Sequence, residues 1–287
     1  MAMRKQLVCA FLVFSSLPLV LGAPCRAEEG VLLLATTTSV RDSGLLYELL
    51  PLFSERTGIR VKTIAVGTGA ALRMGSEGDV DVLLTHAPEA ERELVASGAL
   101  VSRRPFMENH FTIVGPPDDP AGVRKAASAA DAFRRIAEAN QPYASRGDDS
   151  GTHKRERALL RAAGIDPAGG WEGFHQTGSG MGLTLQVAGQ RRAYALSDIG
   201  TFLAYRQRIG LEALSRPGPE LRNVYSVLRV NPLLFGDRGH AEAAQLFEAF
   251  VLDEDIQQRI GRFGVARFGR PLFRPMFAES TTAPTHE

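Results

Sequence analysis

The sequence predicts an α/β protein with largely parallel sheets, divided into two lobes. Short apolar runs alternate with longer amphipathic ones along most of the chain, which favours strand–helix–strand units. Two Pro- and Gly-rich breaks interrupt that alternation: Gly115-Pro116-Pro117-Asp118-Asp119-Pro120 and Pro217-Gly218-Pro219. If the segment after the second break rejoins the first, two lobes result, connected by two strand-like crossings.

Taken in order, the candidate strands are residues 31–35, 59–66, 80–85, 111–114, 193–196 and 224–230. Helical patterns cover 44–55, 70–75, 88–97, 121–139, 152–163, 181–190 and 199–208. In the first of these, Leu45, Leu46, Leu49, Leu50 and Phe53 share one helical face. The expected division is a leader at 1–27, a first segment at 28–114, a second lobe at 115–222, a return to the first lobe at 223–278 and a disordered tail at 279–287.

The leader reads as a cleavable signal peptide. Arg4 and Lys5 precede an apolar run at 7–21, broken by Pro18, and Cys25-Arg26-Ala27 offers small residues for cleavage before Glu28. The run is too short for a membrane span, and Pro24 before Cys25 fits lipoprotein processing poorly. Cleavage removes both cysteines, Cys9 and Cys25, and with them any disulfide or thiolate metal site. It leaves thirty basic residues against thirty-two acidic ones, a near-neutral chain. No basic stripe with interleaved aromatics is present, so no nucleic-acid partner is expected. The arginines between Arg262 and Arg274 read as a solvated surface, and Trp171 as a packing residue.

The informative recurrence is chemical. Thr36-Thr37-Thr38-Ser39, Gly67-Thr68-Gly69, Ser150-Gly151-Thr152 and Gly178-Ser179-Gly180 each precede a helical pattern, the last beginning at Met181. A helix start leaves amides without acceptors and carries partial positive charge. Glycine admits close approach, Ser and Thr add hydroxyl donors, and a small anion is the natural guest. Helix capping alone explains any one cluster. Two clusters on each side of the 115–120 break are what a cleft closing on one ion requires.

The stretch around Arg146 decides between cation and anion. Asp148 and Asp149 suggest a hard metal, but they are adjacent rather than spaced to wrap one, and the other three clusters hold no carboxylate. Arg146 and a helix start both repel a cation. The aspartates then read as turn residues or as groups that orient Arg146, and no metal cation or cofactor is expected. Charge-assisted hydrogen bonds contribute roughly 1.5–3 kcal/mol each, so about seven would give roughly 10–20 kcal/mol before costs. Nanomolar capture needs about 12 kcal/mol. A fully deprotonated oxyanion needs donors only, which favours molybdate, tungstate or sulfate over phosphate.

ATTTSVRDSGLLYELLPLF, VGTGAALRMGSEGDVDVLLTHAPEAE, SRGDDSGTHKRE, GSGMG and FGRPLF resemble the periplasmic tungstate-binding components of ABC-type importers. The resemblance runs from about Leu32 to Phe273. It implies a two-lobed type II periplasmic binding protein fold, with the ligand cleft between lobes, and delivery of tungstate or molybdate to a membrane permease. By position it implicates Thr37, Ser39, Thr68, Arg146, Thr152 and the backbone at Gly180 and Met181; the cluster reading adds Thr38 and Ser150. One departure is Ile199, where the family more often carries a polar or charged residue. That bears on a second-lobe contact, not on the central site.

The expected protein is therefore a monomeric periplasmic solute receptor without catalytic activity. Alternatives are a receptor for sulfate or phosphate, a sensor that reports ligand state, and a phosphoester hydrolase using Ser150 or Thr152 with His153 and Asp149. Neighbours on one helix start seldom reach such a relay, and no G-x-S-x-G elbow is present. Gly67-Thr68-Gly69 is no dinucleotide fingerprint, since Leu72 occupies its third glycine position. His86, after an apolar run, reads as a satisfied structural histidine, and the remaining histidines lack metal-ligand spacing.

Overall fold

The computed structural model describes residues 30–235 and 240–276. The expected leader, with Cys9 and Cys25, and the expected tail lie outside the described residues.

The chain opens with strand β1 (Val31–Thr37), helices α1 (Thr38–Ser43) and α2 (Leu45–Thr57), β2 (Arg60–Val66), α3 (Thr68–Glu77), β3 (Val82–Thr85) and α4 (Pro88–Ala96). The 16-residue strand β4 (Leu100–Gly115) follows. Next come α5 (Ala129–Glu138), β5 (Tyr143–Ser145), α6 (Gly151–Ala162), β6 (Phe174–Gln176), α7 (Met181–Gln190), β7 (Ala195–Asp198), α8 (Ile199–Ile209) and β8 (Glu212–Ala213). The return comprises β9 (Arg222–Val230), α9 (Pro232–Phe235), α10 (Ala241–Leu252), α11 (Glu254–Arg262), α12 (Val265–Phe268) and β10 (Arg274–Pro275).

One sheet has the order β10-β4-β9-β3-β1-β2. β1 pairs in parallel with β2 and β3, while β9 runs antiparallel between β3 and β4. β1 lies inside the sheet between β3 and the edge strand β2, and its first five residues are apolar, as in a strand covered on both faces. The second sheet pairs the end of β4 with β7 and β8. β5 and β6 join it through a parallel bridge between Tyr143 and Tyr194. β4 thus belongs to both sheets: it pairs with β9 as far as His110 and with β7 from Phe111 onward.

Cores follow the sheets. Phe53 of α2 meets Phe247 and Phe250 of α10 edge-on, with centroids 5.2 and 5.3 Å away, which fastens the C-terminal return to the first lobe. In the second lobe Tyr143 packs among Phe133, Trp171 and Phe174. Trp171 also donates its indole N–H to Gln141 O at 2.8 Å, consistent with a packing residue.

The sheets are mixed rather than largely parallel, because β4 and β9 run antiparallel to their partners, and two expected elements also need correction. The run 111–114 is only the end of β4. Its earlier part is hidden by Arg103, Glu108 and their neighbours, whose charges are paired in the fold: Arg103 with Glu91, Glu108 with Arg222 and Arg274. The helix expected from residue 121 begins only at Ala129. Before it, Asp119 accepts from the amides of Val123 and Arg124, Gly122 turns with φ at 68°, and Ser128 caps α5 through Asp131 N–H. Among the described residues no helix is long and apolar enough to cross a membrane.

Candidate anion-binding site

The expected clusters stand at carboxyl ends of strands, where open α/β sheets place their ligands. β1 leads through Thr37 into α1, and β2 through Gly67 into α3. In the second lobe the loop after β5 carries Arg146 and Ser150 into α6, and the loop after β6 carries Gly178 and Gly180 into α7.

Hydrogen bonds tie these turns together across the lobes. Gly151 N–H at the start of α6 donates to Thr68 Oγ1 on α3 at 3.0 Å. Arg146 Nε donates to Ser179 O at 2.7 Å, joining the third cluster to the fourth. Its terminal nitrogen contacts the Asp148 carboxylate, whose other oxygen accepts from Ser150 N–H at 3.2 Å. Arg146 is only 3% exposed. Thr37 and Ser39 share a hydroxyl–hydroxyl bond of 3.0 Å, and Ser39 reaches the Tyr225 hydroxyl from β9. Thr38 is half-buried, and its side chain has no protein partner among the described residues.

The helix starts differ in their caps. Thr37 Oγ1 accepts from Val40 N–H at 3.4 Å and Ser150 Oγ from His153 N–H at 3.3 Å, the capping role any such residue can play. Gly67 and Gly180 provide no side-chain cap to α3 and α7. The first amides of those two helices, from Thr68 in one lobe and from Met181 in the other, thus keep their donors for an outside acceptor. Each helix also brings the positive end of its dipole.

Asp149 sits at φ 55° and pairs with Lys154 at 2.8 Å, so it is a turn residue, whereas Asp148 holds Arg146. The relay weighed for Ser150, His153 and Asp149 is not assembled. Ser150 Oγ is engaged by a main-chain amide, and His153 Nδ1 accepts from Asp149 N–H at 3.0 Å. Among the described residues no three His, Cys, Asp or Glu side chains are grouped to hold a metal ion.

His86 is the satisfied structural histidine the sequence suggests, while the partners around it are visible only in the fold. His86, 7% exposed, bonds through Nδ1 to Asn223 Oδ1 at 2.9 Å; Asn223 Nδ2 donates to Tyr225 and to Asn109. Burial pulls the His86 imidazole down to about 4, so it is neutral and donates from Nδ1. Asp198, the cap of α8, accepts from Thr201 N–H and Oγ1, both at 2.8 Å. Burial holds its carboxyl above the usual range, against the Thr201 bonds and the field of Arg146. The clusters other than the one around Arg146 hold no carboxylate, as expected, but Asp198, outside all four, adds a buried carboxyl that the cluster pattern did not point to. A buried carboxyl at a helix start is legible only once its neighbours are known. Ile199 beside it is buried in the core.

A family model described as a PBP superfamily domain matches residues 24–255. The chain belongs to that superfamily. Over 253 residues it is 43% identical to the tungstate-binding protein TupA of Peptoclostridium acidaminophilum, spanning 88% of this chain and 87% of that protein. Among solved structures, the tungstate-binding protein TupA from Desulfovibrio alaskensis G20 aligns with TM-score 0.76 and 38% identity, over 87% of this chain and all of the other. A structure described as the tungstate ABC transporter from Geobacter sulfurreducens aligns with TM-score 0.72 and 41% identity, over 79% and 96% of the two chains. The two-lobed type II architecture expected from the motifs is the fold of this chain.

Proposed function

We propose that the protein captures a tetrahedral oxyanion, tungstate or molybdate in the first place, between its lobes and delivers it to the permease of an ABC importer. The observation that carries this reading is the meeting of uncapped helix starts from the two lobes: Thr68 at the start of α3 accepts from Gly151 N–H, and the buried Arg146 in the loop just before Gly151 donates to Ser179 O beside the start of α7. Relatives bearing the name tungstate-binding protein support the choice of ion.

Thr37, Thr38, Ser39 and Thr68 act from the first lobe, with Arg146, Ser150, Thr152 and the amides at Gly180 and Met181 from the second. The first lobe takes residues 28–114 and 223–278, the second 115–222. The receptor is a periplasmic monomer, exported by its leader, and carries out no catalysis. Calorimetric titration with tungstate, molybdate, sulfate and phosphate tests the reading, and a phosphoester turnover assay tests the enzymatic alternative. Capture of tungstate with no turnover is the expected pair of results. Turnover without capture would reverse the assignment.

A further inference from the structure

The charge around Arg146 is lopsided. One buried guanidinium contacts the Asp148 carboxylate, and its field reaches two further buried carboxyl groups: Asp198, and Glu156 on α6, one helical turn beyond Thr152. A dianion placed among them cannot be balanced by Arg146 alone. Backbone dipoles offset part of the excess, and a proton on one carboxylate would offset more.

Glu156 is 1% exposed. Its carboxylate accepts from Ser145 Oγ, from the Tyr143 hydroxyl at 3.0 Å and from the main-chain N–H of Arg146. It thereby ties the strand end that carries the guanidinium to the helix whose start carries Thr152. We propose that Glu156 is the positioning residue of the anion site and takes up one proton from solvent when the anion is captured. The inference rests on the oxyanion reading above.

The groups facing Glu156 are few. β5 supplies Tyr143 and Ser145, and the next loop supplies Arg146, the charged group whose field reaches it. From the β7 side, Leu196 N–H donates to the Tyr143 hydroxyl, and Asp198 acts on Arg146. α5 presents the apolar ring of Phe133 to Tyr143. On its own helix, Arg155 is turned toward Arg222 O and His153 toward Asp149.

Burial pushes Glu156 up to about 7, against hydrogen bonds from Ser145 and Tyr143 and the bond and charge of Arg146. A dianion arriving at Arg146 adds negative charge nearby and favours the neutral acid further. The neutral acid then donates its one O–H to one of the two hydroxyls, Ser145 or Tyr143, whose rotor turns to accept, while the other goes on donating to the remaining carboxyl oxygen. Below the free-state midpoint Glu156 is protonated before and after capture, and affinity is flat. Above it, capture requires a proton, and affinity falls by up to about tenfold per pH unit.

The test is calorimetry of the exported chain with tungstate, from about pH 6 to about pH 9, in two buffers of different ionisation enthalpy. The expected result is agreement between buffers at the acid end and a difference approaching one proton per anion near about pH 8. Glu156→Gln should make the buffers agree throughout and flatten affinity against pH. Should that variant fail to fold, Ser145→Ala serves: it removes a donor to the ionised carboxylate and should move the onset of pH dependence upward. The proposal is overturned if wild type binds tungstate with no buffer dependence, if Asp198→Asn rather than Glu156→Gln abolishes the uptake, or if Ser145→Ala leaves the onset in place. Silence in every titration would remove the oxyanion reading itself, and this inference with it.

Discussion

Gly151 lies against the imidazole of His86, so closely that a Cβ built on the glycine would stand 2.4 Å from His86 Cε1. The two residues come from opposite lobes. His86 is held by Asn223 and packs 4.8 Å from the Tyr225 ring, so it has little room to yield. Gly151→Ala should therefore prop the lobes apart. Overpacking of this kind costs roughly 1–3 kcal/mol, about a 5- to 140-fold loss of tungstate affinity. Calorimetry reads the loss, and small-angle scattering should show a ligand-bound particle larger than the wild type's.

Arg146 is fixed from both sides, by Ser179 O and by Asp148. Arg146→Ala should weaken capture by roughly 2–5 kcal/mol, the usual range for truncating a buried hydrogen-bonded charge. Arg146→Lys restores the charge but not the planar fork, and should recover only part of the loss. Thermal shift with added tungstate distinguishes the three proteins, because ligand raises the melting temperature by mass action. Equal shifts for wild type and Arg146→Ala would take the guanidinium out of the site.

Thr68 receives the Gly151 amide and so joins the lobes directly. Thr68→Val keeps the shape but leaves the buried Gly151 amide without its acceptor, at a cost of roughly 1–3 kcal/mol. Thr68→Ser keeps the oxygen and should stay close to wild type. A parallel titration of both variants checks the ordering.

Two buried groups give opposite pH signatures to stability. His86 is held below its usual value, at about 4, so the unfolded chain binds a proton that the folded one refuses. That contribution is lost as pH falls from about 6.5 toward 4, by up to roughly 3 kcal/mol. Glu156 is raised to about 7, so the folded protein binds a proton that the unfolded one releases. Its effect favours folding increasingly as pH falls from about 7 toward 4.5, and is lost as pH rises through 7. Urea unfolding of His86→Gln beside wild type at about pH 5 and about pH 7.5 should show the variant gaining ground in acid. A constant difference would show that His86 is not neutral in the fold.

The helix starts were legible because their signal is local: glycine and hydroxyl residues beside an apolar run already state what the backbone there can donate. The pattern from 181 to 190 is α7 from end to end. β4 was only partly legible, because its apolar content ends where its charges begin, and those charges are satisfied by residues such as Arg222 far along the chain. The partners of His86 were hidden for the same reason. Asn109 and Asn223 meet across antiparallel strands, a juxtaposition that only the register creates. Asp198 stood in plain view before a helix, but its burial beside Arg146 and Tyr225 is a property of the assembled lobes.

β4 passes from one sheet to the other between His110 and Phe111. One lobe therefore cannot melt while leaving the other intact, since each sheet would lose a strand the other needs. Heating should give a single cooperative transition in calorimetry, with matching van't Hoff and calorimetric enthalpies. Relative rotation of the halves must likewise be taken up as twist in that shared ribbon and in the return crossing between β8 and β9, so the stiffness of these two links sets how freely the halves turn against each other.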